Sequence, residues 1–374
     1  MKIQIDSPFE TNSGYGYRAK DFIKHFIDLY GIDNEIKLKS LPWGSSDKII
    51  SKDYKEYKTE VDIDSDLYIH IGIPSETFPK GKRNILITAG IETNKIKEDW
   101  VIGCNRMDLI LVSAEHSKKV FKDCGVETEV KTLFEVVNNQ YFENNFERTI
   151  LSDNLDKVDS DYIYLFIGQW LHGDIGHDRK DIGMLIKTFE DTFKDVKNKP
   201  YLLLKTYMLN NSEMDLYNVK QKINSIKQPD TNVILLHAEL TDNQIIELYN
   251  HNKIKSFVSF TKGEGWGRDF AQFSTVGKPI ICPDFGGHTD FLNNVVWLFG
   301  EHKPIHPSTH MNRYTNNDAT WLNVNYDMAK MTMLDTFNNY SNYLKEANLQ
   351  KEFIGNFNED KYKELIKITF NEFI

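Results

Sequence analysis

Twice along this chain a short apolar run passes into a glycine-bearing polar loop and then a helical pattern, with further strand and helix patterns alternating behind it. The first run opens with a strand at 2–5 and a polar loop at 7–17 that holds Gly14 and Gly16. A helix follows, with Phe22, Phe26, Ile27 and Tyr30 on one face. Strand candidates follow at 67–71, 84–88, 109–112 and 130–134, and Ser113 is placed to cap a helix carrying Val120 and Phe121. The second run has strands at 162–167, 201–205, 233–236, 256–259 and 280–282, with helices at 182–193, 219–226 and 241–249 between them. Strands alternating with helices imply parallel sheets covered on both faces. The stretch 138–161 between the runs is polar, acidic and without period, and reads as an interdomain linker. The expected fold is therefore α/β, with two Rossmann-like doubly wound domains at 1–150 and 151–355. A final amphipathic helix within 356–374 carries Tyr362, Leu365, Ile366 and Phe370 near helical spacing and needs a surface to pack on.

Bulk properties narrow the function. A length of 374 residues suits two domains of ordinary size, and 40% hydrophobic residues suffice for their cores. No stretch approaches the roughly 20 apolar residues of a membrane span. The N-terminal apolar run is short and cut by Asp6 and Glu10, unlike a secretory leader. Cys104, Cys124 and Cys282 are scattered, without metal-ligand or disulfide spacing, and read as buried thiols. The expected location is the cytoplasm of a bacterium or of a virus-infected host cell. Heavy use of Lys, Asn, Ile and Asp suggests an AT-rich genome, bacterial or viral. The net charge of −10 opposes a general attraction to nucleic acid or anionic membrane, without excluding a local basic patch.

The most specific segment is 262–292. Gly263, Gly265 and Gly267 let a strand-end loop turn tightly and let backbone approach a ligand. A helix at 269–275 would follow, ended by Gly277-Lys278-Pro279. After the next strand, Gly286-Gly287 form a second glycine loop, and ligands of open α/β sheets sit outside such strand ends. This segment resembles the signature of retaining, family-4-type glycosyltransferases of the GT-B fold. There a Glu-Gly-Phe-Gly stretch is followed by a second Glu on a helix, the helix ends in Gly-x-Pro-Val-Ile, and a Gly-Gly loop comes next. Glu264-Gly265-Trp266-Gly267 matches the first part, Gly277-Lys278-Pro279-Ile280-Ile281 the helix end, and Gly286-Gly287 the loop. The second Glu is replaced by Gln272. The resemblance implies that Glu264 lies near the donor sugar. It also implies that Gln272 takes the ribose contact, more weakly because an amide carries no charge.

Two further matches complete the donor side. Gly168 after a strand, then Arg179-Lys180-Asp181 before a helix, resembles the family's glycine and basic pair. Arg179 and Lys180 would stabilise a departing diphosphate, with Lys205 at a neighbouring strand end as a third cation. The long loop between them holds Trp170, His172, Asp174 and His177 and would reach an acceptor or form a surface excursion. Gly14 and Gly16 resemble the loop that approaches the donor from the opposite domain, with Arg18 and Lys20 adding positive charge. Many relatives carry a His after the strand at 85–88. Here Glu92 stands near that place, either to orient or deprotonate an acceptor hydroxyl or in a structural role. Asp62, Asp64 and Asp66 contain a DxD but read as a solvated acidic loop. His302, His306 and His310 have helical spacing, but Pro304 and Pro307 forbid a regular helix. No metal or other cofactor is expected.

The resemblance implies GT-B architecture, two domains facing a central cleft and a C-terminal helix crossing back to the first. The implied activity is transfer of a sugar from a nucleoside diphosphate sugar to a hydroxyl, with retention of configuration. The acceptor is a glycan, a lipid-linked sugar or a hydroxymethylated base in phage DNA. A non-enzymatic sugar-nucleotide-binding protein and a GT-B-fold epimerase are the alternatives.

Overall fold

The computed structural model describes residues 1–43, 54–170, 173–207, 213–228, 232–311 and 313–374. His172 lies outside them. The chain divides into two units. One holds Met1–Val136, Arg313–Asn316 and Phe357–Ile374, and the other Val137–Asn312 and Asn317–Asn356.

The first unit is built on a parallel sheet in the order β2-β1-β3-β4-β5-β6. Its strands are β1 (Lys2–Ser7), β2 (Glu35–Ser40), β3 (Ser65–Ile71), β4 (Gly81–Ile87), β5 (Leu109–Val112) and β6 (Val130–Thr132). Alternate side chains of a strand face opposite sides, so near-continuous Ile, Leu and Val runs supply both faces. Ile3, Ile5, Ile69 and Ile87 pack against Phe22 and Phe26 of α1 (Gly14–Tyr30). Leu86, Ile110 and Val112 pack against Trp100 of α2 (Glu98–Cys104) and Phe121 of α3 (Glu115–Asp123). The C-terminal helix, Glu359–Phe370, completes this unit. Its Tyr362, Ile366 and Phe370 enter the α1 side of the core, and the Phe370 ring lies 5.7 Å from Phe22 and 5.2 Å from Phe26. The surface that helix needed is thus α1.

The second unit begins with α4 (Asn139–Glu143) and α5 (Ile150–Asp156), within the stretch read as a linker. Polar side chains hold them. Tyr141 donates to Asp242, and the buried Glu247 carboxylate accepts from the amides and hydroxyls of Thr149 and Ser152. A parallel sheet follows in the order β12-β11-β10-β7-β8-β9. Its strands are β7 (Ile163–Ile167), β8 (Tyr201–Thr206), β9 (Val233–His237), β10 (Ile254–Val258), β11 (Ile280–Pro283) and β12 (Val296–Leu298). Tyr164, Phe166, Leu202 and Leu204 pack against Leu185, Ile186 and Phe189 of α6 (Ile182–Phe193) and Met333 further along the chain. Helices α7 (Glu213–Asn224), α8 (Asp242–Asn250) and α9 (Arg268–Ser274) fill the remaining crossovers. An antiparallel pair, β13 (Gly300–Pro304) and β14 (Thr320–Val324), precedes α10 (Tyr326–Asn338) and α11 (Tyr340–Ile354).

Two local readings are refined. The polar loop expected at 7–17 ends early, because Ser13 caps α1 by accepting from the Gly16 amide at 3.0 Å. Gly14 and Gly16 therefore lie in the first helical turn, and Gly16 is required there because a Cβ would fall 2.1 Å from the Thr11 carbonyl oxygen. Ser113 stands one residue before the N-cap position of α3. The N-cap is Ala114, and the Ser113 hydroxyl donates to Ala89 O.

Candidate active site

In a parallel sheet the C-terminal strand ends share one edge, so in the second unit the segments after β7, β8, β10 and β11 emerge together. The segment after β10 bears Glu264, and the one between β7 and α6 bears Arg179 and Lys180. Lys180 Nζ lies 2.5 Å from Glu264 Oε1, and Arg179 Nη1 lies 3.2 Å from Oε2. Arg179 also donates to Gly263 O at 2.8 Å, and the Thr261 hydroxyl donates to Glu264 Oε1 at 2.7 Å. Burial alone would raise the Glu264 carboxyl. The charges of Lys180 and Arg179, with hydrogen bonds from Lys180 and Thr261, override it and hold the pKa at about 2. Glu264 is thus a fixed anion at neutral pH, suited to orient cations and accept hydrogen bonds rather than to give up a proton.

The second glycine loop closes on the same backbone. The Gly287 amide donates to Glu264 O at 2.7 Å. A Cβ on Gly286, whose φ is 116°, would lie 2.8 Å from the Glu264 nitrogen. Gly267, at φ 97°, is the N-cap of α9, and a Cβ there would meet Phe270 and His288. Trp266 is buried against Phe291, with ring centroids 4.8 Å apart. Gly265 connects Glu264 to this anchor. Gln272 is half-buried on α9.

Lys205, at the end of β8, is fully buried, and its ammonium sits 3.3 Å from the centre of the Tyr207 ring. Burial lowers its pKa to about 8, against the attraction of Asp269 and Glu239. Asp269 accepts from the Tyr207 hydroxyl at 3.2 Å and feels the charges of both Lys180 and Lys205, so the three cations nominated from sequence share one neighbourhood. Asp269, Thr261 and His288 escaped the sequence reading, although all lie within or beside its signature segment. His288 is fully buried, with Nε2 against Pro283 O at 2.7 Å.

The first unit places its candidates differently. Glu92 is half-buried after β4, near enough for its charge to act on Tyr15, whose hydroxyl meets Thr88 Oγ1 at 2.8 Å. Arg18 is buried, donating to Leu133 O at 2.9 Å with Glu135 at 3.5 Å, and so holds structure rather than adding charge to a loop. Lys20 reaches toward Asn12 at 3.4 Å and over the Tyr17 ring. Asp62 meets Lys39 at 2.9 Å and Lys80 at 3.1 Å, and Asp66 meets Lys82 at 2.7 Å. Hydrogen bonds from Lys39 and Gln4 hold the Asp62 carboxyl below the usual range. In the second unit, His302 lies on β13. His306 caps a 3₁₀ turn and stacks on His177 at 3.8 Å, and His310 faces Ile305 O at 3.1 Å.

No protein-family model matches the sequence, and a search of curated proteins finds no match. Solved structures do resemble it. Alr3699/HepE of Anabaena, in complex with UDP and glucose, aligns over 100% of both chains with a TM-score of 0.68 and 10% identity. Sucrose-phosphate synthase of Thermosynechococcus elongatus aligns over 100% of this chain and 98% of its own, with a TM-score of 0.68 and 9% identity. Trehalose 6-phosphate synthase of Burkholderia multivorans aligns over 99% of this chain and 98% of its own, with a TM-score of 0.63 and 8% identity. What is shared at these identities is the fold, which is GT-B with two Rossmann-like, parallel-sheet units.

Proposed function

We propose that this protein is a glycosyltransferase that moves a sugar from a nucleoside diphosphate sugar to a hydroxyl acceptor with retention of configuration. The observation that carries this reading is the Arg179–Lys180–Glu264 cluster at the strand-end edge of the second unit. Breaking a glycosyl–phosphate bond places negative charge on the leaving diphosphate. A planar guanidinium and a point-charge ammonium on adjacent residues can take it up. Glu264, ionised and tied to both cations, fixes their direction and can accept a hydrogen bond from the sugar. Gly265, Trp266, Gly267, Gly286 and Gly287 shape the backbone around it, Gln272 is assigned to the ribose, and Lys205 supplies a further cation. In the first unit, Gly14 and Gly16 at the start of α1 are assigned to the donor side and Glu92 to the acceptor. With three cations assigned to the donor, the reading requires no metal.

The acceptor hydroxyl belongs to a glycan, a lipid-linked sugar or a hydroxymethylated DNA base, and the net charge of −10 favours the first two. Free Cys104 and Cys282, both buried, suit a reducing cytoplasm. Among the described residues no helix is long and apolar enough to cross a membrane. The UDP-glucose complex of HepE makes UDP-sugars the first donors to try. The test is nucleoside diphosphate release from UDP-, GDP- and ADP-sugars, alone and with glycan or hydroxymethylated DNA acceptors. Release from one donor, lost in Glu264→Ala, supports the transferase. Tight donor binding without release under any condition favours the binding protein, and conversion of the sugar while still attached to its nucleotide favours the epimerase.

A further inference from the structure

Directly behind the cation pair lies a second, fully buried set of charges. Asp178 and Asp181 bracket Arg179 and Lys180 in sequence, and both are buried, as is Lys262, two residues before Glu264. Lys262 Nζ donates to Gly176 O at 2.5 Å, lies 3.6 Å from Asp181 Oδ1 and sits over the Trp321 ring. Its backbone makes the matching links. The Lys262 amide donates to Arg179 O at 2.8 Å, and its carbonyl accepts from the Leu322 amide on β14 at 3.1 Å. Asp181 is held from the other side by the Tyr326 hydroxyl at 2.7 Å, and its backbone occupies the N-cap position of α6 in the left-handed region, at φ 53°. A non-glycine residue costs energy in that conformation and persists there only where its surroundings over-determine it.

We infer that Lys262 is a positioning residue of the donor site, acting through Lys180 and Arg179. This rests on the donor reading given above. Its ammonium ties the 176–181 turn to the 261–264 turn, and these turns carry the two cations and the carboxylate. The 2.5 Å contact between Lys180 and Glu264 depends on their relative placement. Displacements of about 1 Å at a binding constellation are enough to degrade it. A lysine whose only task was stability could tie any two turns. This one ties the pair that meets at Glu264, and Asp181 directly follows Lys180.

The test compares Lys262→Met with Lys262→Arg. Because Met leaves Asp181 without its counter-charge, the double variant K262M/D181N is made alongside. Two measurements are taken on the full chain. Hydrogen exchange of amides 176–182 is read on the protein alone, and UDP, GDP and ADP affinities are read by calorimetry. In K262M, and in K262M/D181N, exchange at 176–182 accelerates while the amides of β7 and β8 stay protected. Affinity for the preferred nucleoside diphosphate falls about tenfold in K262M, and K262R recovers most of it. The loss largely vanishes when K262M is placed in a Lys180→Gln background, as coupled residues require. Unchanged exchange and affinity in K262M/D181N would overturn the inference, and so would an equal loss with and without Lys180. If the wild-type chain binds none of the three nucleotides, the donor reading fails, while the exchange result still decides whether Lys262 holds the turn.

Discussion

The connection after the first strand does different work in the two units. In the first, it is short and delivers its positive charge inward: Arg18, on the second turn of α1, is buried against Leu133 O and Glu135. In the second, the connection from β7 to α6 is longer and keeps its cations at the strand-end edge, where Arg179 and Lys180 converge on Glu264. The same strand–turn–helix unit thus serves folding in one half and, on the present reading, chemistry in the other. Which use prevails depends on where the counter-charge stands. Glu135 lies just past β6 inside its unit, while Glu264 stands on a loop beyond β10.

Lys180→Gln should break the functional side of this contrast with the largest effect. Removing one charge-stabilising group of a transition state typically costs about 100- to 1,000-fold in kcat. The expectation is a loss of that order in sugar transfer per folded molecule, measured as nucleoside diphosphate release, over and above the stability lost by leaving the buried Glu264 carboxylate to Arg179 and Thr261. Arg18→Met should do the reverse. Breaking a buried ion pair by removing one partner costs about 3–5 kcal/mol, so denaturant unfolding of the first unit should shift by that order. Nucleoside diphosphate affinity per folded molecule should remain. If Arg18→Met abolished binding while leaving stability intact, the contrast drawn here would be wrong.

The contrast was only partly legible in the sequence. Strands with buried faces on both sides, such as Leu109–Val112, announce themselves as apolar runs, and the glycine loops around Glu264 and Gly286 carry a specific signature. The stretch around 138–161 looked structureless because α4 and α5 are short and held by polar contacts to α8 rather than by an apolar stripe. The hairpin β13–β14 escaped for a related reason. Gly300–Pro304 is exposed along its length and has no buried alternation to read. In the sequence Arg18 is a loop cation and Lys262 carries no sign of a role. A lysine or arginine in sequence is by default solvent-exposed, and only the fold reveals the carboxylate buried beside it.

A pH experiment sharpens the account of the second unit. Burial, and then the charge of Asp181, raise the Asp178 carboxyl to about 6, and its Oδ1 has no hydrogen-bond partner. A carboxyl raised in the folded state contributes stability below its unfolded pKa, and that contribution is lost as pH rises through about 6. Asp178→Asn should therefore melt with the wild type near pH 4 and draw away from it as pH rises to about 6, ending a few degrees above it at pH 8. Equal melting at both ends of this range would show that Lys262 already compensates the charge.

The smallest expected effect concerns Gln272, where an amide stands in place of the donor signature's second Glu. A carboxylate accepts hydrogen bonds from sugar hydroxyls about twice as strongly as a neutral amide oxygen does. Gln272 is half-buried on α9, so a new charge there remains partly solvated and its gain is modest. Gln272→Glu should strengthen nucleoside diphosphate binding by only about two- to fivefold, read by calorimetry against the corresponding free base, which lacks the ribose. A gain confined to ligands that carry ribose would place the sugar hydroxyls at this residue. A loss would mean that the amide nitrogen, which a carboxylate lacks, makes the contact, and that this chain has exchanged an acceptor for a donor at its ribose site.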